Sequence, residues 1–101
     1  MKTTNFYLYE IKEFFKYCDN ATEFDFMKVM TLINDFLETQ KIQCVFKEIN
    51  VYNKNIILEF KTYDQRKIIE NIFNEYGFIT KEAPNGLYTK NTGFWITGIE
   101  K

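Results

Sequence analysis

Apolar residues recur at two different spacings along this chain, and each change of spacing marks a change of element. Over residues 5–18, Tyr7, Ile11, Phe14, Phe15 and Cys18 fall three or four apart, which puts them on one face of a helix. Glu10, Lys12, Glu13 and Lys16 fill the other face. Asp19-Asn20-Ala21 reads as a break. Thr22 with Asp25 approximates a capping box, and the acid in the first turn suits the helix dipole. The second helix is predicted to run to about Gln40, with Phe26, Val29, Met30, Ile33, Phe36 and Leu37 on its apolar face. The link between the two helices is short, so an antiparallel pair is expected.

The period then becomes two. Ile42, Cys44 and Phe46 alternate with Gln43 and Lys47, and Ile56, Leu58 and Phe60 alternate with Asn55, Glu59 and Lys61. Between the runs, Tyr52-Asn53-Lys54-Asn55 supplies a turn, because asparagine tolerates a positive φ. These residues predict a β-hairpin over 42–62. Thr62-x-x-Gln65 opens a third helix with a second capping-box pattern. Its stripe is Ile68, Ile69, Ile72, Phe73 and Tyr76, and Gly77 stands where a left-handed glycine would end it. Phe78–Lys81 reads as a strand, Ala83-Pro84-Asn85-Gly86 as a turn, and Leu87–Lys90 as a returning strand. Asn91-Thr92-Gly93 offers one more turn before Phe94–Thr97.

The expected fold is α+β in the order ααββαββ(β). It is a single small domain over residues 1–101, with an antiparallel sheet of four or five strands and helices packed on one face. The other sheet face is then left to water or to a partner. With 101 residues there is material for one core and not for two. The hydrophobic share of 46% and charged share of 27% belong to a globular chain, not a disordered one.

Charge and chemistry narrow the functional classes. Formal net charge is −1, so no basic footprint for nucleic acid stands out. No apolar run approaches the ~20 residues of a membrane helix. The first residues carry acids and lysines within their apolar stretch, unlike a signal peptide. A cytoplasmic location is expected, or the host cytoplasm for a phage-encoded chain. Histidine and serine are absent, which removes serine hydrolases, cysteine–histidine pairs and the commonest general base. Cys18, on the first helix, and Cys44, on a strand, read as small buried hydrophobes. Glu10 with Glu13, and Asp35 with Glu38, read as solvated helix surface and not as an acid–base pair. No phosphate loop or EF-hand spacing occurs. The chain is read as a non-enzyme with no cofactor and no metal.

Binding is what remains. Aromatics reach 19%, with eleven Phe and seven Tyr. The phenylalanines fit the buried stripes. Tyr9, Tyr17, Tyr52, Tyr63 and Tyr88 fall off them or near turns, and Tyr and Trp are enriched at interfaces. In Phe94-Trp95-Ile96, either Trp95 faces the core and its neighbours face outward, or the reverse. The outward set is a candidate contact surface. Lys47, Lys54, Lys61, Lys81 and Lys90 flank the hairpins, and Tyr88 with Lys90 shares a strand face, as in modules that stack bases. The residues assigned to partner binding are therefore Tyr52, Lys54, Tyr88, Lys90, Phe94, Trp95 and Ile96.

The leading expectation is a non-catalytic binding module for a protein partner. The abundance of Lys, Asn, Ile, Phe and Tyr, residues with AT-rich codons, fits a phage or mobile-element inhibitor that sterically blocks a host defence protein. A nucleic-acid-binding module using a lysine and aromatic sheet face is the alternative. A homodimer burying the open face is the third.

Overall fold

A computed structural model of the chain describes residues 3–50, 52–83 and 91–100. The fold is α+β, in the order ααββαββ. Its elements are α1 (Thr4–Tyr17), a 3-10 turn (Cys18–Asn20), α2 (Glu23–Thr39), β1 (Phe46–Asn50), β2 (Asn55–Glu59), α3 (Tyr63–Glu75), β3 (Phe78–Ala83) and β4 (Gly93–Ile99). They form two compact units, Met1–Gln43 and Cys44–Lys101. No helix among the described residues is long and apolar enough to cross a membrane.

The first unit is an antiparallel helical hairpin. Thr3 caps α1 by accepting from the Phe6 amide at 3.3 Å. Thr22 and Asp25 complete a reciprocal capping box at the start of α2, as their spacing predicts. The Gln40 side chain donates to the Thr4 hydroxyl at 3.2 Å, at one end of the hairpin. At the other end the Phe14 and Phe26 rings meet edge to face, 5.2 Å between centroids. Leu8 and Ile11 on α1, and Val29, Ile33, Phe36 and Leu37 on α2, are buried. Tyr7, Phe14 and Phe15 are only half-buried. The buried face of α1 is therefore centred on Leu8 and Ile11, off the predicted stripe. Cys18 caps the C-terminal end of α1 and begins the 3-10 turn, half-buried and not in the core as its spacing suggested.

The second unit is a four-stranded antiparallel sheet with α3 on one face. The strand order is β1-β2-β4-β3, so β4 lies in the middle, paired with both β2 and β3. Asn50 shapes the first hairpin turn: its side-chain oxygen accepts from the amides of Tyr52 (3.0 Å) and Asn53 (2.9 Å). Lys54 takes the positive φ, at 58°.

The alternation of β1 differs from expectation. The strand starts at Phe46, so Ile42 and Cys44 lie before it. Pairing sets Phe46 opposite Glu59, Lys47 opposite Leu58 and Ile49 opposite Ile56. Ile56, Leu58 and Phe60 are fully buried, so β2 decides which face is inward, and Phe46 turns outward with Glu59.

Thr62 accepts from the Gln65 amide at 3.2 Å and caps α3, but the Gln65 side chain does not return the bond. Ile69 and Phe73 of its stripe are buried, whereas Ile68 is exposed. Gly77 ends the helix at φ 88°, its amide donating to the Asn74 carbonyl at 3.1 Å. Phe73 meets the Phe78 ring edge to face at 5.1 Å and the Phe94 ring at 6.1 Å, and Phe60 stacks on Phe94 at 6.2 Å. These four rings join α3 to the sheet. The β3–β4 register shifts between Ile79 and Thr80. The expected turn at 84–86 and returning strand at 87–90 lie outside the described residues.

Candidate functional site

Side chains alternate across a strand, and residues opposite each other in an antiparallel pair share a face. The inner face of the sheet thereby includes Lys47, Ile49, Ile56, Leu58, Phe94, Ile96, Thr80 and Glu82, the side on which α3 lies. The outer face has a central row, one residue from each strand. Glu48 of β1 stands opposite Ile57 of β2, Ile57 opposite Trp95 of β4, and Trp95 opposite Lys81 of β3. Glu48 and Lys81 are exposed, and Ile57 and Trp95 are half-buried. Lys81 Nζ lies 6.0 Å from the centre of the Trp95 ring. Phe46 (40% exposed) and Ile79 (46% exposed) extend the apolar area at two corners. Thr97 adds an exposed hydroxyl. Two polar groups of this face are sunk into it: Glu59 and Asn55 are 5% and 8% exposed, and Asn55 Oδ1 has no hydrogen-bond partner among the described residues.

The ambiguity of Phe94-Trp95-Ile96 is thus decided. Phe94 and Ile96 are fully buried, opposite Leu58 and Ile56, so they are core residues and not contact residues. Trp95 is the outward one. Tyr52 is 91% exposed at the hairpin tip, and Lys54 sits beside it in the turn, beyond the central row. Tyr88 and Lys90 lie outside the described residues. The described lysines do not converge. Lys47 is on the inner face, Lys54 in the turn, Lys61 beyond the end of β2, and only Lys81 on the outer face.

A buried polar cluster on α3 went unrecognised in the sequence. Arg66, the only arginine, is 5% exposed and pairs with Glu70 at 3.0 Å. It also donates to the Asn91 carbonyl at 3.2 Å, while its Nε lacks a partner among the described residues. Glu70 accepts from the Thr80 hydroxyl at 3.0 Å and pairs with Lys67 at 3.4 Å. The legible signal was the i, i+4 spacing of Arg66 and Glu70 on one helix face. The cluster ties α3 to β3 and to the turn that precedes β4, and its carboxylate is already engaged.

The helical hairpin holds a hollow of about 330 Å³ lined by Glu10, Glu13, Phe14, Tyr17, Asp25 and Lys28 among others. Its acids are engaged: Glu13 with Lys16 at 3.0 Å, Glu10 with Lys28 at 3.9 Å, and Asp25 with Thr22. The Thr22 amide, then the Thr22 hydroxyl, hold the Asp25 carboxyl below its usual range. Cys44 is half-buried before β1, not a core strand residue as its alternation suggested, and its partial burial pushes the thiol up, away from the reactive thiolate. Among the described residues, no three His, Cys, Asp or Glu side chains gather in a way that could hold a metal ion.

Compared with known proteins, the chain matches no family model, no curated protein and no solved structure.

Proposed function

We propose that this chain is a non-catalytic protein-binding module that docks through the outer face of its sheet, with Trp95 as the anchor. The orientation of Trp95 carries the proposal. The largest side chain of β4 points away from the core, at the centre of a face that also shows Phe46, Ile57 and Ile79. An outward tryptophan among apolar neighbours, bordered by single charges, has the make-up of an interface core with a polar rim. Scatter of the lysines over different faces weighs against a nucleic-acid groove, which needs its cations along one track. Within this class, a phage or mobile-element inhibitor acting in the host cytoplasm suits the small size and the AT-rich-codon residues. Its mechanism is steric: the face covers a site on a host defence protein.

The test is a tagged pull-down from host lysate, with and without nuclease. Wild type is compared with Trp95→Ala and with Tyr9→Ala, a control at an exposed position on α1. The expected result is one stoichiometric protein that survives nuclease, is kept by Tyr9→Ala and is lost by Trp95→Ala, with unfolding temperatures close to wild type. Equal capture by Trp95→Ala, or loss of the captured material on nuclease treatment, would overturn the proposal.

A further inference from the structure

The central row of the outer face runs acid, aliphatic, aromatic, base from one sheet edge to the other: Glu48, Ile57, Trp95, Lys81. With strands ~4.8 Å apart, the two charges stand ~14 Å from each other at opposite margins. Neither has an ion-pair partner among the described residues. Both are exposed, while the two central residues are half-buried. A row of this kind is complementary to itself.

We propose that the occupant of the outer face is a second copy of this chain, related by a two-fold axis that lies between the sheets and runs parallel to the strands. This rests on the reading of that face as a protein-contact surface. The axis passes between β2 and β4, the two middle strands. It exchanges left and right across the sheet, so Glu48 of one protomer comes over the partner's Lys81, and Lys81 over the partner's Glu48. Ile57 comes over the partner's Trp95, twice. A two-fold axis perpendicular to the strands would instead stack each residue on itself, with Glu48 against the partner's Glu48 and Lys81 against the partner's Lys81. Charge therefore selects one of the two isologous arrangements.

The distances suit the pairing. Facing sheets pack ~10 Å apart, within the combined reach of a glutamate and a lysine. Twisted sheets diverge toward their edges, where β1 and β3 carry these long side chains while the bulky Trp95 and Ile57 fill the middle. The covered area is modest. Four strands of about five residues make a footprint of roughly 350 Å², well under the ~800 Å² per partner of a standard interface. The dimer is therefore weak and concentration-dependent, and another protein reaches the face only from the monomer.

Sedimentation equilibrium over a wide concentration series tests this with the full chain. Four proteins are compared: wild type, Glu48→Lys, Lys81→Glu and the double charge swap. Thermal unfolding confirms that each is folded, which substitution at exposed positions should allow. Wild type is expected to pass from monomer to dimer. Each single swap, which puts like charges together at two places, is expected to raise the dissociation constant about tenfold. The double swap should return it to within about threefold of wild type. An equimolar mixture of the two single variants should associate more tightly than either alone. A wild type that stays monomeric throughout, single swaps without effect, or a double swap as weak as the singles would each overturn the second-copy proposal. If wild type is monomeric yet captures another protein through Trp95, only this inference falls. If capture ignores Trp95, the contact-surface reading falls with it.

Discussion

Arg66 is a buried charge at the junction of α3 with the sheet. It is sunk beside Glu70, which also meets Lys67 and the Thr80 hydroxyl, while the Asn91 carbonyl accepts from its guanidinium. Removing one partner of a buried pair strands the other charge, at a cost of about 3–5 kcal/mol. Arg66→Ala is expected to lose stability on that scale in denaturant unfolding, whereas Arg66→Met with Glu70→Leu should lose much less, because no charge is left behind. Asp25 gives a gentler, pH-dependent signature. Its carboxyl titrates below its usual range in the folded chain because Thr22 bonds the charged form. The stabilisation is therefore complete above the unfolded pKa and disappears as pH falls through the lower folded one. Wild type should unfold at a higher temperature than Asp25→Ala at neutral pH, and the gap should narrow on acidification below about pH 4. A gap that is constant with pH would show that the carboxylate charge contributes nothing to the cap.

At the scale of elements, what was legible in the sequence and what was not divide along physical lines. The starts of α2 and α3 were written in local chemistry, since Thr22 and Thr62 bond amides three residues on, whatever the rest of the chain does. The stop at Gly77 was equally local, because the left-handed φ it adopts favours glycine. The phase of β1 was not local. Its own residues suggested Ile42, Cys44 and Phe46 inward, but β2 is the more apolar strand and imposed its register. Trp95 posed the same kind of question, and pairing with Ile57 answered it. The Arg66 cluster was missed because a solvated i, i+4 ion pair and a buried one have the same spacing; only the fold distinguishes them. The facing of β4 has a direct consequence for stability. Phe94→Ala removes a fully buried ring and is expected to cost about 3–5 kcal/mol. Trp95→Ala, at a half-buried position on the open face, should cost clearly less. Equal losses in chemical denaturation would mean that both faces of β4 are core.

In the whole molecule, the two faces of the sheet differ in what they carry. One is filled by phenylalanines and α3. The other presents Trp95 between Ile57 and Lys81, with Glu48 at the far edge. Buried aromatic area of this kind drives association, and the flanking charges decide which association. Trp95 is also the only tryptophan in the chain, so its fluorescence reports on that face and on nothing else. The most direct measurement is Trp95 emission and its quenching by acrylamide, followed from dilute to concentrated protein and again with a captured partner. A shift to shorter wavelength and a fall in quenching are expected as a complex forms in either titration, because the ring leaves water. Emission and quenching that stay unchanged while a complex demonstrably forms would contradict it, and would place the contact surface elsewhere on the chain.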